Sequence, residues 1–331
     1  MRTTLRNRHF VSTMDWSKGE LDTALEAAAY LKFLRATGQS QRHILEDKTL
    51  FMIFFEESTR TRNSFEAGMT QLGGHAHFLT EEATQIGHGE TPRDTAHVLA
   101  RYGDAIAIRD TTYGRGNRFI TAMAKDSPIP VYNMQCDVDH PCQSLGDVMT
   151  IQERFGKQTE GLKFVISWTY APSYTRPLSV PQSLVWLMPR FGMDVVLAHP
   201  PEFRLMPHTI EAAARLAEEN GCRFQVVNDM DEAFKDADVV YPKSWGCLEF
   251  SQDPAVIVET AAKYRDWICD QRRMDLTARK SIYMHCMPYD RGVEVTDEVV
   301  DGPHSVVYDQ AENRLHIQKA IMALTMGGRL P

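Results

Sequence analysis

Residues 49–62 read TLFMIFFEESTRTR, and this stretch decides how the first half of the chain folds. Its apolar part, Thr49–Phe55, has the length and composition of a buried strand. Phe65, Met69 and Leu72 then recur at helical spacing until Gly73-Gly74 ends the pattern. The sequence therefore predicts a buried strand, a polar turn and a helix in direct succession.

The turn between this strand and this helix is rich in groups that bind anions. It carries the hydroxyls of Ser58, Thr59 and Thr61 and the guanidiniums of Arg60 and Arg62. Free backbone N–H groups and the positive end of the helix dipole favour an anion at such a position. Forked arginine hydrogen bonds match phosphate oxygens, so we expect a phosphate site. Taken alone, the turn is equally compatible with an N-cap serine followed by solvated arginines.

Strands and helices alternate along the rest of the chain. A capping box at Ser17-Lys18-Gly19-Glu20 opens the first helix, Gln143–Phe155 is expected to bridge two halves, and Ala311–Met326 forms the last helix. The further candidate strands are His75–Leu79, Ala105–Ile108, Val131–Met134, Lys163–Trp168, Asp194–Ala198, Arg223–Val227, Val239–Tyr241 and Ile282–Cys286. This alternation predicts an α/β fold of two doubly wound parallel-sheet domains, with sites outside the carboxyl ends of the strands.

Length and charge narrow the functional class. The chain has 331 residues, and we place the domains at 1–150, joined by the C-terminal helix 311–327, and at 151–310. Its net charge is −8 with acidic and basic residues interspersed, so we expect neither nucleic acid nor an anionic membrane as a partner. No apolar run is long enough to span a bilayer. Met1–Leu5 lead into no apolar signal core, so we expect a cytoplasmic protein.

Cysteine and histidine spacing predicts no metal site. The 6 cysteines form no CxxC pair, which is typical of reduced thiols rather than of disulfides or zinc ligands. The 12 histidines show no HExxH or comparable metal-binding spacing. We therefore expect neither a metal nor a cofactor.

Four further polar clusters follow predicted strands or open predicted helices. They are Arg109, His140-Pro141-Cys142-Gln143, His285-Cys286-Met287-Pro288 and Glu312-Asn313-Arg314. Taken singly, each has an ordinary structural interpretation: a surface arginine, a loop histidine, a core cysteine and a solvated turn. Arranged around one cleft, they would offer many hydrogen-bond donors and few acceptors. Such a set suits a phosphorylated substrate whose carbonyl oxygen becomes an oxyanion.

In order and spacing, these motifs resemble those of the aspartate/ornithine carbamoyltransferase family along essentially the whole chain. The matching motifs are Ser58–Arg62, Gln85-Ile86-Gly87-His88, Asp94-Thr95-Ala96, Arg109, His140–Gln143, His285–Pro288 and Glu312–Arg314. The resemblance implies that the first domain binds carbamoyl phosphate and the second binds an amine. It also implies a homotrimer with sites at the subunit interfaces.

The resemblance further implies roles for single residues. The phosphate is expected to be held by Ser58, Thr59, Arg60 and Thr61, with Arg109 bridging phosphate and carbonyl. The carbamoyl group is expected to be oriented and polarised by Thr61, Arg109, His140, Gln143 and Arg314, with contacts from Cys286 and Met287. Gln85 resembles a residue of the loop that reaches into a neighbouring subunit's site.

The second half resembles the knotted branch of the family, typified by N-acetylornithine carbamoyltransferase. The residues concerned are Tyr241–Gly246, in place of a Ser-Met-Gly motif, and the proline-rich segments Trp168–Pro172 and Arg176–Pro181. This likeness implies a trefoil knot in the second domain. It also implies that the amine substrate is bound by Lys243, Ser244, Trp245 and Met287, with Lys243 taking a carboxylate. Glu294 stands where the acetylornithine enzyme has a modified lysine, and the loop bearing Gln85 lacks that enzyme's tryptophan, so the acceptor stays open.

The sequence thus predicts a carbamoyltransferase that moves a carbamoyl group between carbamoyl phosphate and the amino group of an amino acid or related amine. The products are a ureido compound and phosphate, or the reaction runs in reverse as a phosphorolysis. One alternative is N-acetylornithine or ornithine carbamoyltransferase proper. Another is a non-catalytic phosphate-binding trimer; against it argues the joint presence of Arg60, Arg109, His140, Gln143 and Arg314. A nucleotide-binding oxidoreductase is disfavoured because Lys163–Trp168 is not followed by GxGxxG.

Overall fold

A computed structural model describes residues 4–172 and 176–327 of the chain. Part of the N-terminal stretch on which the cytoplasmic expectation depends, Met1 to Thr3, lies outside the described residues. The strands are β1 (Thr49–Phe54), β2 (His75–Thr80), β3 (Ala105–Asp110), β4 (Val131–Cys136), β5 (Lys163–Trp168), β6 (Asp194–Ala198), β7 (Phe224–Val227), β8 (Val239–Lys243) and β9 (Ile282–Tyr283). The helices are α1 (Lys18–Ala36), α2 (Thr59–Leu72), α3 (Pro92–Leu99), α4 (Gly116–Asp126), α5 (Pro141–Phe155), α6 (Ser179–Leu187), α7 (Pro207–Glu219), α8 (Met230–Phe234), α9 (Pro254–Ala261), α10 (Gln271–Met274), α11 (Asp297–Val300) and α12 (Val307–Thr325).

The chain divides into two compact units. The first comprises the residues up to Met149 together with those from Ala311 onward, and the second comprises Thr150–Gln310. Each unit is built on one parallel sheet, with strand order β2-β1-β3-β4 in the first and β7-β6-β5-β8-β9 in the second. The predicted fold of two parallel-sheet α/β domains is therefore confirmed, whereas the trefoil knot stays a prediction.

In the first unit, the direction in which strands are added reverses between β1 and β3. The two strands pair in parallel, with Phe54 opposite Arg109, and the Phe55 N–H donates to the Arg109 carbonyl at 3.0 Å. At such a switch point the loops that leave the carboxyl ends diverge and open a crevice for a ligand. Here these ends carry the turn that begins at Ser58 and the side chain of Arg109.

The sheet of the second unit has a corresponding switch point between β5 and β8. Trp168 at the end of β5 lies opposite Lys243 at the end of β8. The Thr169 N–H donates to the Lys243 carbonyl at 3.2 Å. The predicted amine-binding residues Lys243 and Ser244 therefore lie at the carboxyl end of β8, where an open α/β sheet most often takes a ligand.

Local sequence signals explain the ends of the helices in the first unit. Ser17 and Glu20 form the predicted capping box at the start of α1. Ser58 caps α2, and Gly73 ends it in the left-handed conformation at φ 93°. A Cβ at Gly73 would lie 1.8 Å from the Arg42 carbonyl oxygen, so only glycine fits there. The core beneath is aliphatic and fully buried around Ile53, Ile106, Ile108 and Ile120.

Some predicted elements differ from the observed ones. The strand expected at Ile282–Cys286 ends at Tyr283, so His285 and Cys286 lie in the loop beyond it. The last helix begins at Val307, four residues before the predicted start. No helix within residues 4–172 and 176–327 is both long enough and apolar enough to cross a membrane.

Candidate active site

The turn after β1 presents the first N–H groups of α2 at the switch point of the first sheet. Ser58 Oγ accepts a hydrogen bond from the Thr61 N–H at 3.3 Å and so fixes the helix start. Ser58 and Arg60 are half-buried, Thr59 is exposed and Thr61 is buried. The predicted phosphate turn therefore keeps accessible donors on one side and packs Thr61 on the other.

Arg62, the second arginine of the turn, takes a different position from Arg60. Its guanidinium carbon lies 3.7 Å from the centre of the Phe78 ring, in a cation–π contact on the exposed side of α2. The expectation that Arg62 adds forked hydrogen bonds to a phosphate does not match this position. Arg60 is accordingly the arginine of the turn that remains as the phosphate candidate.

Arg314, from α12, reaches the buried side of the same turn. Its Nη2 donates to Thr61 Oγ1 at 2.6 Å, and both side chains are buried. A guanidinium can only donate, so the threonine oxygen is the acceptor and keeps its own hydrogen for another acceptor. The close approach of the helices at this point depends on Gly146 in α5, where a Cβ would lie 3.3 Å from Arg314 Cγ.

Arg109 is the second-to-last residue of β3, at the carboxyl edge of the sheet. Its Nη1 donates to Gln135 Oε1, and its Nε lies 3.9 Å from Glu56 Oε2. Glu56 also accepts the Thr111 N–H at 2.7 Å. Burial raises the pKa of Glu56, against the opposing effects of the Thr111 N–H and the Arg109 charge. Arg109 is thus oriented on both sides by oxygen acceptors.

His140 is buried among three guanidiniums. Burial lowers its pKa well below the usual range, and the charges of Arg314, Arg109 and Arg60 lower it further. The imidazole is therefore neutral at physiological pH and offers one N–H donor and one acceptor nitrogen. This electrostatic coupling also shows that residues predicted from four separate motifs gather in one region of the first unit.

The segment that carries His140 is held on both sides by aspartates. Asp139 Oδ2 accepts from Ser12 Oγ at 2.7 Å and from the Thr13 N–H at 3.1 Å. Asp137 accepts from the N–H groups of Gly114 and Asn117, both at 2.7 Å. Asp137 thereby binds the start of α4 and has a structural role. The histidine itself is placed by a rigid loop, as a polarising group requires.

Gln143 lies one turn after His140 in α5 and is 1% exposed. Its Nε2 donates to Asp147 Oδ1 at 2.8 Å. The Gln143 amide is thereby oriented with its nitrogen toward Asp147 and its oxygen away from it. Gln143 Oε1 is buried and has no hydrogen-bond partner among the described residues. The arrangement leaves it as an acceptor for a ligand N–H.

Three residues that make these polar contacts were not predicted from the sequence. Glu56, Gln135 and Asp147 orient Arg109 or Gln143, yet none belongs to the motifs that were singled out. Asp147 had a signal, because it follows Gln143 by four residues on a predicted helix, the spacing at which side chains meet. Glu56 also directly follows the predicted strand Thr49–Phe55. Gln135 lacks a comparable signal, because its contact with Arg109 depends on the pairing of β3 with β4.

Three of the predicted amine-binding residues, Lys243, Ser244 and Trp245, lie in the second unit at the end of β8. Lys243 is 6% exposed, and its Nζ donates to the Ser244 carbonyl at 2.8 Å. Burial lowers the pKa of Lys243. Trp245 Nε1 donates to the Phe203 carbonyl at 2.7 Å, and Trp168 Nε1 donates to the Trp245 carbonyl at 2.9 Å. Lys243 is therefore a buried lysine and not a solvated surface one.

The remaining predicted residues occupy other loops. Cys286 is buried and Met287 half-buried in the loop after β9, where the Met287 N–H donates to His285 Nδ1 at 2.8 Å. His285 therefore carries its proton on Nε2, and burial lowers its pKa to about 4. Gln85 is exposed at the start of a 3₁₀ turn, Gln85–His88. The contacts of Cys286, Met287 and Gln85 with substrate stay predictions.

Comparison with known proteins assigns families to both halves of the chain. Residues 8–153 match the aspartate/ornithine carbamoyltransferase carbamoyl-P binding domain, and residues 177–325 match the Asp/Orn binding domain of the same family. The chain is 39% identical to N-acetylornithine carbamoyltransferase of Xanthomonas campestris pv. campestris, over 98% of this chain and 99% of that protein.

Two solved structures are similar to the whole chain. Ornithine carbamoyltransferase from Pyrococcus furiosus superposes with a TM-score of 0.89 at 39% identity, over 99% of this chain and 100% of that one. Acetylornithine transcarbamylase complexed with acetylcitrulline superposes with a TM-score of 0.87 at 38% identity, over 96% of this chain and 98% of that one. Both likenesses extend through the two units.

Proposed function

The chain belongs to the aspartate/ornithine carbamoyltransferase family, and on that premise we propose that it transfers a carbamoyl group from carbamoyl phosphate to the amino group of an amino acid or related amine. The products are a ureido compound and phosphate. The same transition state serves the reverse phosphorolysis. The observation that carries the proposal is the cluster of Arg60, Thr61, Arg109, His140 and Arg314, which gathers donors of the required kind.

The phosphate is assigned to the predicted carbamoyl-phosphate domain, residues 1–150 together with the C-terminal helix 311–327. Ser58, Thr59, Arg60 and Thr61 offer hydroxyls, a guanidinium and the first N–H groups of α2. A dianion is favoured there by the helix dipole and by charge-assisted hydrogen bonds. Arg109, at the neighbouring strand end, is the natural bridge between the phosphate and the carbonyl oxygen.

The carbonyl oxygen is assigned to donors that strengthen as negative charge develops on it. Thr61 keeps its hydroxyl hydrogen because Arg314 occupies its oxygen. His140 contributes a neutral imidazole N–H, and Arg109 contributes a full charge. Groups fixed before the reaction act mainly on the transition state. Losing one such donor costs roughly 3–4 kcal/mol, or about a hundred- to a thousandfold in rate.

The chemical step then needs no covalent nucleophile. The amine lone pair attacks the carbamoyl carbon and forms the new N–C bond. The bond from that carbon to the phosphate oxygen breaks, and the phosphate leaves with its electron pair. The departing phosphate accepts the proton that the attacking amine loses. Gln143 Oε1 accepts from the carbamoyl NH₂ and so orients the carbon toward the amine.

The amine substrate is assigned to the predicted second domain, residues 151–310, through Lys243, Ser244, Trp245 and Met287. Lys243 Nζ has three hydrogens, of which the Ser244 carbonyl takes one. A buried ammonium with remaining donors suits a carboxylate, so we assign the acceptor to the amino acids. Ornithine and N-acetylornithine, named for similar proteins, are the first acceptors to examine.

The assembly and location form part of the same proposal. A trimer that shares its sites would use Gln85, whose exposed position on a polar turn leaves it accessible to a neighbouring subunit. We assign the trefoil knot to the proline-rich segment around Arg176–Pro181 and place the protein in the cytoplasm. A non-catalytic trimer would not require the aspartates that rigidly place His140, which favours the enzyme.

The test of the proposal is a panel of amines and amino acids, each incubated with carbamoyl phosphate while ureido product is measured. Formation of a ureido product from at least one amino acid is the expected result. Binding is checked separately with phosphonoacetamide and with N-phosphonoacetyl-ornithine, by thermal unfolding. A ligand at about 100 times its Kd stabilises the folded state by about 2.7 kcal/mol.

Two matched arginine variants make the binding test specific. Arg60→Ala is expected to abolish the thermal response to phosphonoacetamide, because the phosphate loses a charged partner. Arg62→Ala, two residues further along the same helix, is expected to keep it, since that side chain lies over Phe78. Equal responses of the two variants, or no ureido product with any amine, would refute the assignment.

A further inference from the structure

Glu294 accepts four hydrogen bonds through one buried carboxylate and so joins its own loop to the loops after β5 and β8. Its Oε1 accepts from the Ser244 N–H at 2.9 Å and from Thr169 Oγ1 at 3.4 Å. Its Oε2 accepts from Arg176 Nη1 at 2.6 Å and from the Asp290 N–H at 2.7 Å. Glu294 is 0% exposed, so all four bonds are made away from solvent.

The carboxylate is ionised and has its countercharge beside it. Burial alone would raise the pKa of Glu294, but His285, Lys243 and Arg176 together hold it well below its usual range. Arg176 is 3% exposed, and its second branch, Nη2, donates to Asp290 Oδ2 at 2.9 Å. The forked guanidinium therefore holds two carboxylates, and this geometry makes the bond to Glu294 strong and directional.

The segments that Glu294 joins are those at the switch point of the second sheet. Thr169 follows β5 and Ser244 follows β8, so the two loops leave neighbouring strand ends. Lys243 precedes Ser244 directly, and its Nζ donates to the Ser244 carbonyl. A shift of the peptide at Ser244 would therefore move the Lys243 ammonium as well. The Glu294 carboxylate restrains this peptide from the side of its N–H group.

We propose that Glu294, held by Arg176, is a positioning residue for the amine substrate: it fixes the backbone at Ser244 and thereby the ammonium of Lys243. The inference rests on the proposed function for the role of Lys243 and adds the residue pair that sets its place. Small displacements of groups that orient a substrate cost much of the rate, so the pair controls how well the acceptor is held.

An uncharged variant of the same shape distinguishes this role from a role in which the Glu294 side chain only fills space. Glu294→Gln keeps the size but supplies only one oxygen, so either the Ser244 side or the Arg176 side loses its acceptor. We expect the KM for the best acceptor of the amine panel to rise roughly tenfold or more. A tenfold rise corresponds to a loss of about 1.4 kcal/mol of binding free energy. The Kd of phosphonoacetamide, which probes the carbamoyl phosphate half, is expected to stay within about twofold.

The matched control is another ion-paired carboxylate in the same unit. Asp301 pairs with Arg291 at 2.7 Å and is 58% exposed, so Asp301→Asn is expected to leave both constants unchanged. A folded Glu294→Gln protein with an unchanged acceptor KM overturns the proposal. So does a parallel loss of acceptor and phosphonoacetamide binding, because a general structural role predicts that pattern. Should Glu294→Gln not fold, Arg176→Lys provides the same comparison while keeping the positive charge.

A second measurement needs no substrate and so is independent of the proposed function. Hydrogen exchange of the peptide that contains Ser244 reports on the N–H that Glu294 accepts. We expect exchange there to quicken at least tenfold in Glu294→Gln, while exchange in β8 stays as in the wild type. Unchanged exchange at Ser244 overturns the positioning role even if the enzyme proves inactive. If only the proposed function is wrong, exchange at Ser244 is still faster in Glu294→Gln, but no amine gives a ureido product.

Discussion

Arg314 Nη2 donates to Thr61 Oγ1 at 2.6 Å, across 253 residues of sequence. The bond joins the first turn of α2 to α12 and lies next to His140, whose pKa is lowered by the Arg314 charge after burial. It fixes the threonine oxygen as an acceptor and thereby the direction in which the hydroxyl hydrogen can be donated. One contact thus joins two helices and sets the direction in which the Thr61 hydroxyl can donate.

Removing this hydroxyl tests whether it polarises the carbonyl. Thr61→Val keeps the shape of the side chain but leaves Arg314 without its acceptor and the substrate without a donor. We expect kcat to fall about a hundred- to a thousandfold, as for other lost oxyanion donors, and the folded state to lose about 1–3 kcal/mol. Steady-state rates and chemical unfolding measure the two effects. The control Thr70→Val, on the exposed side of α2, should change neither kcat nor stability. A normal kcat in Thr61→Val would contradict the assignment.

Asp147 is expected to act through Gln143. In Asp147→Asn the residue at position 147 can both donate and accept, so the Gln143 amide is no longer held in one orientation. We expect kcat to fall about tenfold in Asp147→Asn and further in Gln143→Ala. In the double variant, which combines Asp147→Asn with Gln143→Ala, we expect kcat to be no lower than in Gln143→Ala alone. A double-mutant cycle measures this difference. Additive losses would mean that Asp147 acts on something else.

Gly146 controls how closely α5 approaches Arg314. An added Cβ would lie 3.3 Å from Arg314 Cγ and 3.4 Å from its backbone nitrogen, so α12 must move by a few tenths of an ångström. Gly146→Ala is expected to lower kcat about tenfold, because catalysis is sensitive to such displacements. Gly68→Ala meets mainly the flexible end of Met322, at 3.1 Å, and should leave kcat unchanged. Equal rates for both variants would show that Arg314 tolerates the shift.

The sequence predicted well what depends on neighbouring residues. The strand, turn and helix from Thr49 to Leu72 were found because burial, capping and the Gly73 stop are all encoded locally. The gathering of Arg60, Arg109, His140 and Arg314 followed from the rule that sites lie at the carboxyl ends of parallel strands. Family resemblance then supplied the order of the motifs, and in the structure the charges of Arg314, Arg109 and Arg60 act on His140.

What could not be predicted depends on partners that are distant in sequence. Glu294 and Ser244 are 50 residues apart, and no local pattern shows that the Glu294 carboxylate restrains the Ser244 backbone. The buried state of Lys243 likewise follows from the packing of the loops after β5 and β8. Tertiary contacts also explain why the strand expected at Ile282–Cys286 stops at Tyr283, where the pairing with β8 ends.

Buried histidines make the stability of the protein depend on pH. His316 is 0% exposed, and burial lowers its pKa to about 4, although Glu312 opposes the shift. In the unfolded chain the same group titrates near 6.5. Between those values the unfolded state binds a proton that the folded state does not, so stability falls as the pH drops below about 6.5. His140 and His285, whose pKa values are also lowered, act in the same direction.

We therefore expect the melting temperature to decrease between pH 7.5 and pH 5.0, and His316→Gln to reduce that decrease by roughly 2–4 °C. The relevant quantity is the difference between the two pH values, because any loss of packing in the variant lowers both melting temperatures alike. His43→Gln, which replaces an exposed histidine, should leave the difference as in the wild type. A decrease in His316→Gln as large as that of the wild type would mean that His316 takes up its proton in the folded state as readily as in the unfolded one.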